Sequence, residues 1–153
     1  MKIIISSSLF CLSFYIAFIR DSHLKRNVSK CKSLLDFSRV LKRNFEYQMK
    51  PLHTVSSDFF LNSDAKNAAF SSPDEVYAYL KENYSTLPFL TDFLSEVSLI
   101  PLSAKDVLLF HCEKMIEITE KGLNDRAERY KNDAKNGYIL FPGIISIFIL
   151  VLI

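Results

Sequence analysis

Three histidines, three cysteines and a row of glutamates are the residues here whose types could do chemistry. His111 beside Cys112 suggests a thiolate activated by an imidazole, yet neighbours on a helix point about 100° apart, so the two cannot form the hydrogen-bonded pair that thiol catalysis needs. The spacing predicts a core thiol beside a rim histidine. Glu113, Glu117 and Glu120 share one helical face and read as a solvated carboxylate row. His23, His53 and His111 lie far apart without paired ligand spacing, so no metal site is expected. A phosphate-cradling loop needs clustered glycines, and Gly122, Gly137 and Gly143 are the only ones in the chain. No catalytic residue, cofactor site or metal ligand is assigned, and the chain is expected not to be an enzyme.

The cysteines suggest structure rather than catalysis. Cys11 lies in an apolar leader, which leaves Cys31 and Cys112 as an even pair in the remaining chain. A Cys31–Cys112 disulfide is the expectation for a secreted domain. Closing a loop of that size would stabilise the fold by about 4 kcal/mol in the chain-entropy account. The alternative is two buried thiols on apolar helix faces. Asn27-Val28-Ser29 and Asn83-Tyr84-Ser85 are candidate N-glycosylation triplets.

Positioning of these residues falls to a chain with an apolar run at each end. Residues 137–153 are almost uninterrupted apolar, with Ser146 the only hydroxyl among residues 144–153 and no Lys or Arg after them. Such a run fits a glycosylphosphatidylinositol (GPI) attachment signal covering residues 133–153. Asn132 is the expected lipid acceptor, followed by the small residues Asp133 and Ala134. The alternatives are a membrane-spanning tail or a buried core helix. Residues 3–19 form a second apolar run after Met1 and Lys2, ended by Arg20 and Asp21, and read as a signal peptide over 1–22 or as an uncleaved anchor. Entry at one end and anchor at the other predict a lipid-anchored protein on the outer face of the cell membrane.

Between them, residues 23–132 are enough for one small extracellular domain. The formal charge of the whole chain is +2, and near neutrality gives no case for nucleic acid. The charge is uneven: seven cations between Lys25 and Arg43 face Asp36 alone. Lys32, Arg39, Lys42 and Arg43 are the candidates for binding an anionic cell surface; the alternative is a solvated helix face.

The periodicity is helical throughout. Val28, Cys31, Leu34, Leu35, Val40, Leu41, Phe45 and Met49 recur at steps of three and four until Pro51 stops them. Residues 55–70 suggest short helical turns tucked under the core by Phe59, Phe60 and Phe70. Ser72, Pro73 and Glu75 form a capping box with proline in the first turn and predict a helix to about Tyr84. A short helix is expected over 88–98. Ser103 with Asp106 repeats the capping pattern and opens the longest helix, with Leu109, Cys112, Ile116, Thr119 and Leu123 on its stripe. The fold class is all-α, an antiparallel bundle of about four helices. Phe59, Phe60, Tyr77, Tyr79, Phe89 and Phe93 could instead line a cavity for an apolar ligand.

Residues 72–94, SPDEVYAYLKENYSTLPFLTDFL, resemble segments of the variable merozoite surface antigens of piroplasm parasites such as Babesia. The resemblance covers about a quarter of the chain: a capped helix, a Tyr and Leu pair, and a second helix rich in Leu and Phe. It implies a small, mostly helical, GPI-anchored coat protein exposed to antibody and linked to attachment to host cells, and it brings no catalytic residues. The function expected is a non-enzymatic GPI-anchored surface antigen that attaches to host cells. The alternatives are a bitopic membrane protein with an accessory helical domain, and a carrier of apolar ligands.

Overall fold

The computed structural model describes residues 2–62, 69–84, 93, 96–97 and 99–152. Among them are four helices and no strand: α1 (Lys2–Tyr47), α2 (Leu52–Asn62), α3 (Pro73–Asn83) and α4 (Lys105–Leu152). The helix expected over 88–98 lies largely outside the described residues, although Phe93 and Val97 from it are buried.

α1 is longer than the expected stripe over 28–49, because it starts at Lys2 and carries the apolar residues 3–19 in the same helix. No Gly or Pro occurs before Pro51, so nothing in the backbone interrupts it. Its end is built with care. Met49 takes a left-handed φ of 54°, the conformation that commonly closes a helix. Its N–H and that of Gln48 both donate to the Asn44 carbonyl, each at 2.8 Å. The Asn44 side chain then bonds Lys50 twice, donating to its carbonyl at 2.9 Å and accepting from its N–H at 3.2 Å. Pro51 follows, and α2 begins.

α3 starts as its sequence predicts, with Ser72 at the cap accepting from the Glu75 N–H. The Glu75 carboxylate reaches back to the Ser71 N–H at 2.7 Å, one residue earlier than the usual box. α4 differs from expectation at its start. The Ala104 N–H donates to the Pro101 carbonyl at 2.9 Å, and the Ala104 carbonyl takes the first helical bond, from Leu108 at 3.1 Å. That tight turn puts Ala104 at the cap and leaves the exposed Ser103 one residue outside.

The chain divides into two compact units, Lys32–Lys121 and the two terminal stretches Met1–Cys31 with Gly122–Ile153. In the central unit the interior is aromatic and self-filling. Phe60, only 1% exposed, has ring centroids of Phe37, Phe59 and Tyr79 at 5.0, 5.0 and 5.1 Å, with Phe70 and Tyr84 at 6.3 Å. The Ser57 hydroxyl accepts the Phe70 N–H at 2.8 Å and so ties the chain to α2 ahead of α3. Leu34, Leu41, Phe45, Leu80, Leu108 and Met115 complete the core. Here α1 and α4 are joined by polar ties in opposite order along the two helices: Arg39 to Glu120, Lys42 to Glu113, and Lys105 to the Glu46 carbonyl.

The terminal unit is built differently. Arg20 pairs with Asp133 at 3.7 Å, and the Tyr130 hydroxyl bonds the Asp21 carboxylate. Burial, then Asp21, push the Tyr130 phenol up. Beyond these polar contacts the helices carry the two apolar runs. Among the described residues, no helix is long and apolar enough to cross a membrane.

Candidate functional site

The four cations expected to form a binding surface do not form one group. Arg39 donates to Glu120 at 2.6 Å and lies 3.9 Å from Asp36, and Lys42 donates to Glu113 at 2.7 Å. The Glu113 hydrogen bond raises the Lys42 ammonium above its usual range, although its loss of water acts the other way. Half of the expected basic surface is therefore spent on holding α4. Lys32 and Arg43 are exposed and have no ion-pair partner among the described residues. Eleven residues is three helical turns, so these two stand on the same face of α1. The glutamates on α4 are also more than a wet row, since Glu113 and Glu120 are the acceptors. Sequence reasoning missed these pairs although complementary charged faces were visible on the two longest helices, because a face does not name its partner.

Cys31 and Cys112 are not joined, which corrects the expected disulfide. Both are fully buried, each in its own surroundings. Burial raises the Cys31 thiol, and the charge of Arg126 partly offsets it. Cys112 neighbours Lys42 and Glu113, and burial pushes its thiol up to about 12.

His111 and Cys112 take the divergent directions that adjacent helical positions require. The His111 Nδ1 lies 3.3 Å from a Glu96 carboxylate oxygen, with the Phe110 and Phe93 rings at 5.9 and 6.4 Å. A thiol raised by burial is a poor nucleophile, and the imidazole beside it in sequence is turned to Glu96 instead. The His53 Nδ1, on α2, is buried without a hydrogen-bond partner. Among the described residues, no three His, Cys, Asp or Glu side chains group as metal ligands would.

The remaining candidates are dispersed. Asn27 lies inside α1, its amide 3.3 Å from the His23 ring. Asn83 is the last residue of α3 and donates to the Tyr79 carbonyl at 3.0 Å; Ser85 of its triplet lies outside the described residues. Asn132 is exposed on α4, with helix continuing on both sides. Of the aromatics considered for a cavity, Phe59, Phe60 and Tyr79 are in the ring cluster, and Phe89 lies outside the described residues.

No protein-family model, curated protein or solved structure matches the chain.

Proposed function

We propose that this is a non-enzymatic, membrane-held helical protein of the cell surface, whose central unit Lys32–Lys121 acts by surface contact, as an antigen met by antibody and as an attachment domain for host cells. The observation that supports it best is the contrast between the two units. The central unit fills its own interior with rings and exposes large apolar side chains at scattered positions, while the terminal unit exposes them in two dense stretches, between Phe10 and Ile19 and between Tyr138 and Ile147. The opposite order of the ties between α1 and α4 supports an antiparallel bundle for the central unit. Attachment then rests on Lys32 and Arg43, the two candidate cations left without partners. Attraction of that kind is weak, fast and screened by salt over a Debye length of about 8 Å.

The test is attachment of the protein to host cells with Lys32→Glu and Arg43→Glu combined, beside staining of intact producing cells with antibody to the central unit. Binding should fall severalfold in the variant and with added salt, and the antibody should stain unpermeabilised cells. Equal binding by wild type and variant overturns the attachment role; staining only after permeabilisation overturns the surface role.

The second reading is a bitopic membrane protein with an accessory helical domain. It is favoured by α4 running without a break through Asn132, so that lipid attachment there would cut the helix and discard Gly137 and Pro142, both buried in the terminal unit. A carrier of apolar ligands has less support, because the rings proposed to line its cavity pack on one another at about 5 Å.

A further inference from the structure

The terminal unit reverses the pattern of a water-soluble helix pair. On α1, Leu12, Tyr15 and Phe18 are 52, 61 and 59% exposed, whereas Ser13 and Ala17 are buried at 0 and 3%. At about 100° per residue, the exposed large side chains between Phe10 and Ile19 occupy roughly two thirds of the helix circumference. A helix packed on a soluble core shows the opposite, a stripe of large apolar residues inward and polar ones outward. On α4 the exposed positions include Ile139, Leu140 and Ile147, at 61, 56 and 62%. Ser13 meets its hydrogen-bonding need within its own helix, donating to the Phe10 carbonyl at 2.6 Å, as Ser146 does to the Pro142 carbonyl at 2.7 Å.

Neither residues 3–19 nor residues 137–153 contain a charge. The first polar contacts, Arg20 with Asp133 and Asp21 with Tyr130, stand at one boundary, where the first apolar run ends and just before the second begins. Small residues inward, large apolar ones outward and charge at one boundary are how helices pack in lipid. A protein partner would cover one side and leave a polar rim; hydrocarbon covers every outward direction.

We propose that residues 3–19 of α1 and 137–152 of α4 enter the hydrocarbon of a membrane together, as one two-helix element that stays with the protein and is its anchor. Each run gives about 25 Å of helix at 1.5 Å per residue, short of the roughly 30 Å of a bilayer's apolar layer, so the runs enter the layer without either described helix being long and apolar enough to cross it. Insertion is a property of the pair, with the Ser13 and Ala17 side of α1 turned from lipid. The inference rests on the reading of a membrane-held protein and specifies its tether.

Cys11 is an exposed thiol within the first run and reports directly. The full wild-type chain, in the membranes of the cells that make it, is treated with a charged, membrane-impermeant maleimide before and after detergent, and labelling is read on the tryptic peptide 3–20. The same membranes are extracted with alkaline carbonate and treated with phosphatidylinositol-specific phospholipase C. The expected result is a chain that keeps both runs by mass spectrometry, resists both treatments, and labels Cys11 at least tenfold faster in detergent. Release by the phospholipase with loss of residues 137–152 overturns the paired anchor and keeps the membrane-held reading. Extraction by carbonate overturns both. Equal labelling of Cys11 with and without detergent overturns the insertion of α1.

Discussion

Replacing Phe60 by alanine should bring the central unit close to unfolding. The side chain is 1% exposed and meets five other rings, three of them at about 5 Å. A buried Phe→Ala change costs about 3–5 kcal/mol in transfer and cavity terms. Aromatic pairs add about 0.5–1.5 kcal/mol each beyond area, and contacts that share one residue do not add fully. The upper half of the range, about 4–5 kcal/mol, is the expected cost. A unit of this size, Lys32–Lys121, has roughly 4–13 kcal/mol in total at about 0.05–0.15 kcal/mol per residue. At about 4–8 °C per kcal/mol, the melting temperature should fall by at least ~15 °C. Phe110 is the control: it is 63% exposed, and its change to alanine should stay within about 0.5 kcal/mol. The assay is a denaturant titration of the full chain in mild detergent, followed by near-ultraviolet circular dichroism of tyrosine and phenylalanine, since the chain has no tryptophan. If Phe60→Ala costs no more than Phe110→Ala, the rings are not the interior and the account of the core is wrong.

Raising the pH should destabilise the central unit through Cys112. Its thiol is pushed from 9.0 to about 12 in the folded protein, so the unfolded chain loses its proton first; the thiol's contribution is full below about pH 9 and is lost between about 9 and 12, and the fall in denaturant midpoint should be smaller in Cys112→Ala, the remainder coming from the raised Lys42 and Tyr79. Reversing Arg39 to Glu sets it against both Glu120 and Asp36, with a loss of up to about 1 kcal/mol for so exposed a pair. The double change Arg39→Glu with Glu120→Arg should recover part of that loss in a double-mutant cycle, and no recovery would show the pair to be incidental. Ser72→Ala should cost only about 0.5 kcal/mol, the low end for a cap, because its bond from the Glu75 N–H is long at 3.4 Å; faster amide exchange confined to the first turn of α3 would show it. Under denaturing, non-reducing conditions Cys31 and Cys112 should both alkylate fully, and resistance to labelling would restore the disulfide.

What the sequence determined by itself was local. Ser72, Pro73 and Glu75 start a helix wherever they stand together, since capping and proline's fixed φ act within four residues. Apolar spacing of three and four made α1, α3 and α4 helices and placed Cys31, Leu34, Leu41 and Cys112 on inward faces. The uninterrupted length of α1 was also legible, in the absence of Gly and Pro before Pro51, but reading residues 1–22 as a removable leader concealed it. Tertiary structure decided what depends on partners distant in the chain. Periodicity says that Cys31 and Cys112 face inward, yet it cannot say whether two inward thiols meet, and the structure does not join them. It also separated Arg39 and Lys42, held by Glu120 and Glu113, from Lys32 and Arg43. Above all it set Ser13 and Ala17 inside the terminal unit and the larger apolar residues outside. Hydropathy is a property of each residue alone, whereas the direction a side chain faces is fixed only by what packs beside its helix.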